Sequence, residues 1–350
     1  MKVAFVGVKR KYQELPQGYA YDFNRYHLEL PFYFCRDGFN DVTITTVDYH
    51  DPGGWLGLPN NENTRAAPKL GFLKCIREKD FAADTEKYDV VVHWRKWFPE
   101  LYRPEAINVI NCQDHSFSQE WQDSAKQAYM KGEFVGILCF PKWHKTNLLA
   151  ECPWLDSASA FDGVTLGVDT DVYTPSAEKN PREMLWASDP GRGLNGALEL
   201  VLKLYQRDRG FRLHVCWPDY CPPPRQFSHP AVVWQGSVPN GKRLWDLFNW
   251  TGVLPYTSTF REPSSRAHRQ AQAAGSMVLY PPSMGTPSDL ILGDRTGVVA
   301  PAAGWVDTIL DYVNDGRWRE IGQRAREYAV SENWAVQAQR FNKLFEGIRK

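Results

Sequence analysis

The chain has 350 residues, about twice the usual size of one domain, which points to two domains. Lys and Arg total 41 and Asp and Glu total 41, so the zero formal charge excludes a polybasic, tail-type binder while allowing local basic patches. Apolar residues at 43% and charged residues at 23% fit a globular protein that buries a real core. The seven cysteines (Cys35, Cys75, Cys112, Cys139, Cys152, Cys216 and Cys221) are scattered without a C-x-x-C pair. They read as buried free thiols in a reducing compartment.

In chain order, KVAFVGV (2–8), DVTITTV (41–47), YDVVVHW (88–94), INVINCQ (107–113) and FVGILCF (134–140) read as buried parallel strands. No leader precedes the first, and no stretch approaches the roughly 20 apolar residues of a membrane span. The expectation is a cytoplasmic protein, or one peripheral to a membrane. A helical pattern surrounds Tyr21–Arg36, and another follows Ser118, a ready N-cap. Strand–helix alternation of this kind specifies a doubly wound sheet covered on both faces.

TPSAEKNPRE (174–183) interrupts the alternation with two prolines and reads as a linker after a first domain of residues 1–173. The alternation then restarts over 184–330: EMLWAS, the helix NGALELVLKLYQR, FRLHVCW, AVVWQG, the helix GKRLWDLFNW, GVLPY, the helix SSRAHRQAQAAG, SMVLYPP and TGVVAP. The remaining tail is helical, with Gly316 as a break. The expected fold is α/β, with two Rossmann-like domains in series.

Gly191-Arg-Gly193-Leu-Asn-Gly196 spells G-x-G-x-x-G between a strand and a helix. The acidic residue that a dinucleotide fold needs about 20 positions later, at the end of a second strand, is missing; the nearest candidate at such a place, Asp219, lies 28 residues past Gly191. What survives is an anion site: a glycine turn and a helix N-terminus aimed at a phosphate, with Arg192 beside it. Asp169-Thr-Asp171 spells D-x-D, a metal-binding pattern in one class of transferases, but at this place it reads as a polar turn, and no metal is expected. In FREPSSRAHRQAQAAG (260–275), Glu262 precedes a helix opened by Pro263, Ser264 and Ser265, and Gly275 can stop that helix. Open N–H groups at its start suit an anion, and Glu262 suits sugar hydroxyls. A charged loop before an ordinary surface helix is the bland alternative.

These residues resemble the retaining GT-B-fold glycosyltransferases of the large E-x7-E family, glycosyl transferases group 1. Glu262, Gln270 and Gly275 keep that motif's register, with Gln270 in place of the second acid. GVDTDVYTP resembles the family's N-G-V-D-x-x-x-F-x-P segment, with Leu166 where Asn is usual. SDPGRGLNGALEL resembles its phosphate-binding turn, GDRTGVVAP its D-G-x-T-G turn, and SENWAVQAQRF its terminal helix. Gly7, Gly18 and HLEL…RDGFNDVTI resemble its opening loop, helix and second strand.

The resemblance implies two Rossmann-like domains facing a cleft, with residues 331–350 returning to the first domain. It implies transfer of a hexose from a nucleoside-diphosphate sugar, UDP-sugar favoured over GDP-sugar, to an acceptor hydroxyl with retention and no bound cofactor. Arg192 and Gly193 would meet the diphosphate, with the N–H groups of Ser264 and Ser265; Gly7 would lie beside the donor. Arg261, Arg266 or Lys242 would replace the family's missing second base. Glu262 would bind the donor sugar, and Gln270 the ribose, an amide being weaker there than a carboxylate by about 1 kcal/mol. His115 matches the family's cleft histidine near the transferred sugar.

Three expected strand-end loops mix cations with rings: Lys9, Arg10, Lys11 and Tyr12; Arg95, Lys96 and Trp97; Lys142 and Trp143. Solvated loop charge explains them simply. An anionic acceptor explains them more sharply, either a nucleic acid carrying a hydroxylated base or a lipid-linked or lipopolysaccharide sugar. The competing readings are a non-catalytic sugar-nucleotide or glycan-binding protein on the same scaffold, and an epimerase or phosphorylase. Oligomeric state is not legible.

Overall fold

The structure, a computed structural model, describes residues 1–7, 31, 34, 41–46, 73–114, 116–140, 142–218, 221–238, 241–258, 260–282 and 293–348. Most of the helix expected around 21–36, Gly18 and the basic loop at Lys9, Arg10 and Lys11 lie outside them, as does His115. The chain divides into two compact units, Met1–Thr165 with Trp334–Lys350, and Leu166–Asn333.

The β-branched runs of the first unit form strands β1 (Lys2–Val6), β2 (Asp41–Thr46), β3 (Leu73–Arg77), β4 (Val90–Trp94), β5 (Ile107–Asn111), β6 (Gly136–Leu138) and β7 (Ala160–Phe161). Among the described residues these make a parallel sheet in the order β3-β2-β1-β4-β5-β6-β7. Helices α1 (Glu78–Ala83), α2 (Gln119–Met130) and α3 (Trp143–Glu151) accompany it. Ser118 caps α2 as expected, its hydroxyl accepting from Trp121 N at 3.2 Å. Burial on both faces explains why β4 shows no polar alternation: every one of its residues is buried.

In the second unit the strands are β8 (Asn180–Ala187), β9 (Arg212–Trp217), β10 (Val232–Ser237), β11 (Thr251–Pro255), β12 (Met277–Tyr280) and β13 (Val298–Val299). They form a parallel sheet in the order β10-β9-β8-β11-β12-β13. Helices α4 (Leu194–Arg207), α5 (Lys242–Trp250), α6 (Arg266–Ala273), α7 (Trp305–Asn314) and α8 (Arg317–Ser331) cover it. Gly316, at φ 82°, separates α7 from α8. Gly275, at φ 72°, ends α6, with its N–H donating to Gln272 O and that of Ser276 to Ala271 O. A Cβ on Gly322 of α8 would lie 2.2 Å from Gly275 O, so two glycines let these helices meet.

The last helix, α9 (Trp334–Ile348), groups with the first unit. Its Phe341 and Phe345 meet Phe34 edge-on at 5.8 and 6.2 Å, and Gln337 Oε1 accepts from Thr165 N at 2.9 Å.

Two boundaries differ from the composition reading. Leu166–Tyr173 belong to the second unit, where Asn249 binds Val172 O and Thr174 N through its side-chain amide. The segment 174–183, read as a linker, already contains the start of β8 at Asn180. Pro181 is tolerated in that strand because the β8–β11 ladder shifts between Thr251 and Val253. At that shift Gly252 lies so close that a Cβ would sit 2.5 Å from Pro181 Cα.

Candidate functional site

In both sheets the strand order reverses direction once, between β1 and β4 in the first and between β8 and β11 in the second. Open parallel sheets bind ligands at the carboxyl ends of the strands flanking such a switch point. In the second unit the segment leaving β8 carries Arg192, and the segment leaving β11 carries Glu262. The topology therefore brings together the two motifs that sequence reading singled out.

Their contact is direct. Arg192 Nη1 donates to Glu262 Oε1 at 2.5 Å, from a side chain 40% exposed to one only 4% exposed. The guanidinium also lies over the Phe260 ring, 4.7 Å from its centroid. Beneath it, Gly193 adopts φ 112° as the residue before α4, and a Cβ there would stand 2.5 Å from Thr257 O. Thr257 Oγ1 donates to Gly193 O at 2.6 Å, tying the turn to the β11 exit. Gly193 is thus demanded twice, by backbone conformation and by proximity. Asp189 Oδ1 accepts from Gly191 N at 2.8 Å and closes the turn from its other side.

The start of α6 completes this face. Ser265 is its N-cap, and the Ser265 hydroxyl makes no capping hydrogen bond to the first turn, so the positive end of the helix dipole faces this turn without a side-chain cap from its own N-cap residue. Pro263 and Ser265 are buried, Ser264 and Arg266 are half-buried, and Arg261 is exposed. Lys242 instead pairs with Asp246 at 2.6 Å on α5. Gln270 is buried, and its Nε2 donates to the Tyr173 hydroxyl at 2.7 Å. The amide oxygen is then the side of Gln270 fitted to accept. Asp169 of the D-x-D pair forms a turn, its Oδ1 accepting from Asp171 N and Val172 N.

Tyr256 is a participant that sequence reading missed. Its hydroxyl donates to Glu262 Oε1, the same oxygen that Arg192 contacts. The ring is buried against His268, with centroids 4.1 Å apart, and against Trp186 and Tyr280. Burial first, and the Glu262 charge second, push the Tyr256 hydroxyl well above its ordinary pKa. It is a permanent donor. Its only local signal is a polar aromatic residue just past a strand end; the partner is supplied by the fold.

At the first unit's switch point, Gly7 leaves β1 with φ 73°, and a Cβ there would lie 2.0 Å from the Phe98 ring. Its N–H donates to Thr45 Oγ1 at 3.1 Å. Close packing on Phe98 accounts for this glycine without a ligand. Arg95 and Lys142 both have positive φ, 66° and 52°, and both follow carboxyl ends of strands. Strain of this kind concentrates at functional sites. Arg95 is exposed and lies 3.9 Å from Asp114; its carbonyl accepts from Trp121 Nε1 at 2.8 Å. Lys96 lies over Phe98, and Trp143 begins α3, stacked on His144. Trp97 departs from its expected role as an exposed ring. It is 4% exposed and packs on His93 and Phe134 in the core, so it supports the loop from below.

Among the described residues no group of three or more His, Cys, Asp or Glu could hold a metal ion. No helix there is long and apolar enough to cross a membrane.

No family model and no curated protein matches the chain. Solved structures do. A glycosyltransferase from Rickettsia africae superposes with a TM-score of 0.68 at 14% identity, over 100% of this chain and 98% of that one. HepE from Anabaena, in complex with UDP and glucose, gives 0.67 at 13% identity over 99% and 100%. TarM gives 0.58 at 14% identity over 73% of this chain, which spans only 54% of TarM. The fold is GT-B, with two parallel-sheet, Rossmann-like domains.

Proposed function

We propose that the protein is a glycosyltransferase that moves a hexose from a nucleoside-diphosphate sugar to an acceptor hydroxyl with retention. The observation that carries this reading is the 2.5 Å contact of Arg192 with Glu262 at the switch point of the second sheet. HepE, similar in fold, was solved with UDP and glucose, which favours a UDP-sugar over a GDP-sugar.

In this reading Arg192, Gly193 and the amides at Ser264 and Ser265 hold the pyrophosphate, with Arg261 and Arg266 adding positive potential. Glu262 accepts from donor-sugar hydroxyls, and Gln270 accepts from the ribose through its amide oxygen. As the C1–O bond breaks, charge grows on the phosphate and oxocarbenium character grows at C1. The preorganised guanidinium and helix N-terminus stabilise that charge. The acceptor oxygen attacks C1 on the leaving-group face and gives its proton to the departing phosphate, so no protein nucleophile is needed. His115, outside the described residues, is assigned to the transferred sugar by the resemblance of its motif alone.

The acceptor reading is anionic, resting on the strained, exposed Arg95 and Lys142, with Lys96 and Trp143 next to them in the chain; the run Lys9, Arg10 and Lys11, outside the described residues, adds cations on the evidence of the sequence alone. A modified nucleic-acid base and a lipid or lipopolysaccharide sugar both satisfy it. The test is product formation from a panel of UDP- and GDP-sugars by wild type and Glu262→Ala. Transfer or donor hydrolysis that is lost in the variant supports an enzyme. Specific binding without turnover supports the non-catalytic alternative, which Gln270 in place of an acid favours.

A further inference from the structure

We infer that Tyr256 is the positioning residue that releases Arg192 from Glu262 when a donor binds. The inference rests on the donor-site reading above. Arg192 and Tyr256 donate to one oxygen of a carboxylate that is almost wholly buried. A pyrophosphate competes with Glu262 for the guanidinium. Pulling Arg192 away would strand a buried negative charge if it were the sole partner, and a stranded charge is far costlier than an exposed one.

Tyr256 prevents this. Its ring is 2% exposed and held by His268, Trp186 and Tyr280, so the hydroxyl cannot follow Arg192 outward. The carboxylate keeps a charge-assisted hydrogen bond and its orientation after the guanidinium has turned to phosphate. Arg192, 40% exposed at the surface of the turn and lying over Phe260, is the partner that an incoming phosphate can reach. Tyr256 therefore lowers the cost of donor binding without touching the donor.

The experiment is a calorimetric titration with UDP and GDP. Neither carries a hexose, so Glu262 contacts neither in the donor-site reading. Tyr256→Phe should weaken the nucleotide that wild type binds by about tenfold, because Arg192 becomes the sole partner of Glu262. In a Glu262→Gln background, where residue 262 carries no charge to compete with the phosphate, the same change should have less than about a twofold effect. Equal losses in both backgrounds would assign Tyr256 a merely structural role and overturn the inference, as would no loss in wild type. Glu262→Gln alone should tighten nucleotide binding; unchanged or weaker binding overturns the inference even if Tyr256→Phe fails to fold. If wild type binds neither nucleotide, or Arg192→Ala binds as tightly as wild type, the donor-site reading itself falls and the inference with it.

Discussion

Replacing Gly193 by Ala probes the turn on which the donor-site account depends. Its φ of 112° lies beyond the left-handed well that L-residues visit, and conformational strain of that kind costs about 1–2 kcal/mol. The new Cβ would meet Thr257 O at 2.5 Å, a backbone atom that cannot rotate away. Relief requires the turn to lift from the β11 exit, which loses the hydrogen bond from Thr257 Oγ1 to Gly193 O, worth about 1 kcal/mol. The sum is about 2–3 kcal/mol. Gly236 supplies the control within the same unit, since it has φ 84° but nothing within 4 Å of a built Cβ. Gly236→Ala should therefore cost only the strain, about 1–2 kcal/mol. Urea unfolding of both variants measures the difference, and nucleotide titration should show weaker binding for Gly193→Ala alone. A Gly193→Ala protein no less stable than Gly236→Ala, with unchanged nucleotide affinity, would refute the reasoning.

Two further outcomes follow from burial and charge. Burial depresses the pKa of both His93 and His268 to about 3, so each ring is neutral in the folded protein near pH 5 while the unfolded chain binds the proton. Stability from each is complete above about pH 6.5 and declines as the pH falls toward 3, by about 2 kcal/mol at pH 5. His268→Phe should lose correspondingly less between pH 7 and pH 5 in urea titrations, and an undiminished loss would contradict this. On the first unit, replacing Arg95 and Lys96 together by Ala should weaken binding of an anionic acceptor and flatten its salt dependence. An unchanged salt slope would reject the anionic reading.

Local signals carried much of this architecture. The apolar runs of β1, β4 and β9 announce strands buried on both faces, Ser118 announces a helix start, and Gly275 a helix stop, because each depends on near neighbours in the chain. The runs at β3 and β7 escaped notice: β7 has only two residues, and β3 mixes Lys74 and Arg77 with its apolar positions. Pro181 concealed the start of β8, since only the distant Gly252 makes a proline acceptable there. The same limit applies to the site. Arg192, Glu262 and Gln270 stand out by motif, whereas Tyr256 and Tyr173 gain meaning only from partners that folding delivers. Trp97 shows the opposite error: a ring among cations suggests an exposed surface, yet the fold turns it inward against His93 and Phe134.

The most direct measurement is a crystal structure of the protein soaked with UDP or GDP. The account predicts pyrophosphate oxygens bonded to the Arg192 guanidinium and to the amides at Ser264 and Ser265, with Arg192 no longer closest to Glu262. A nucleotide whose phosphates lie away from both the Gly193 turn and the start of α6 would contradict it.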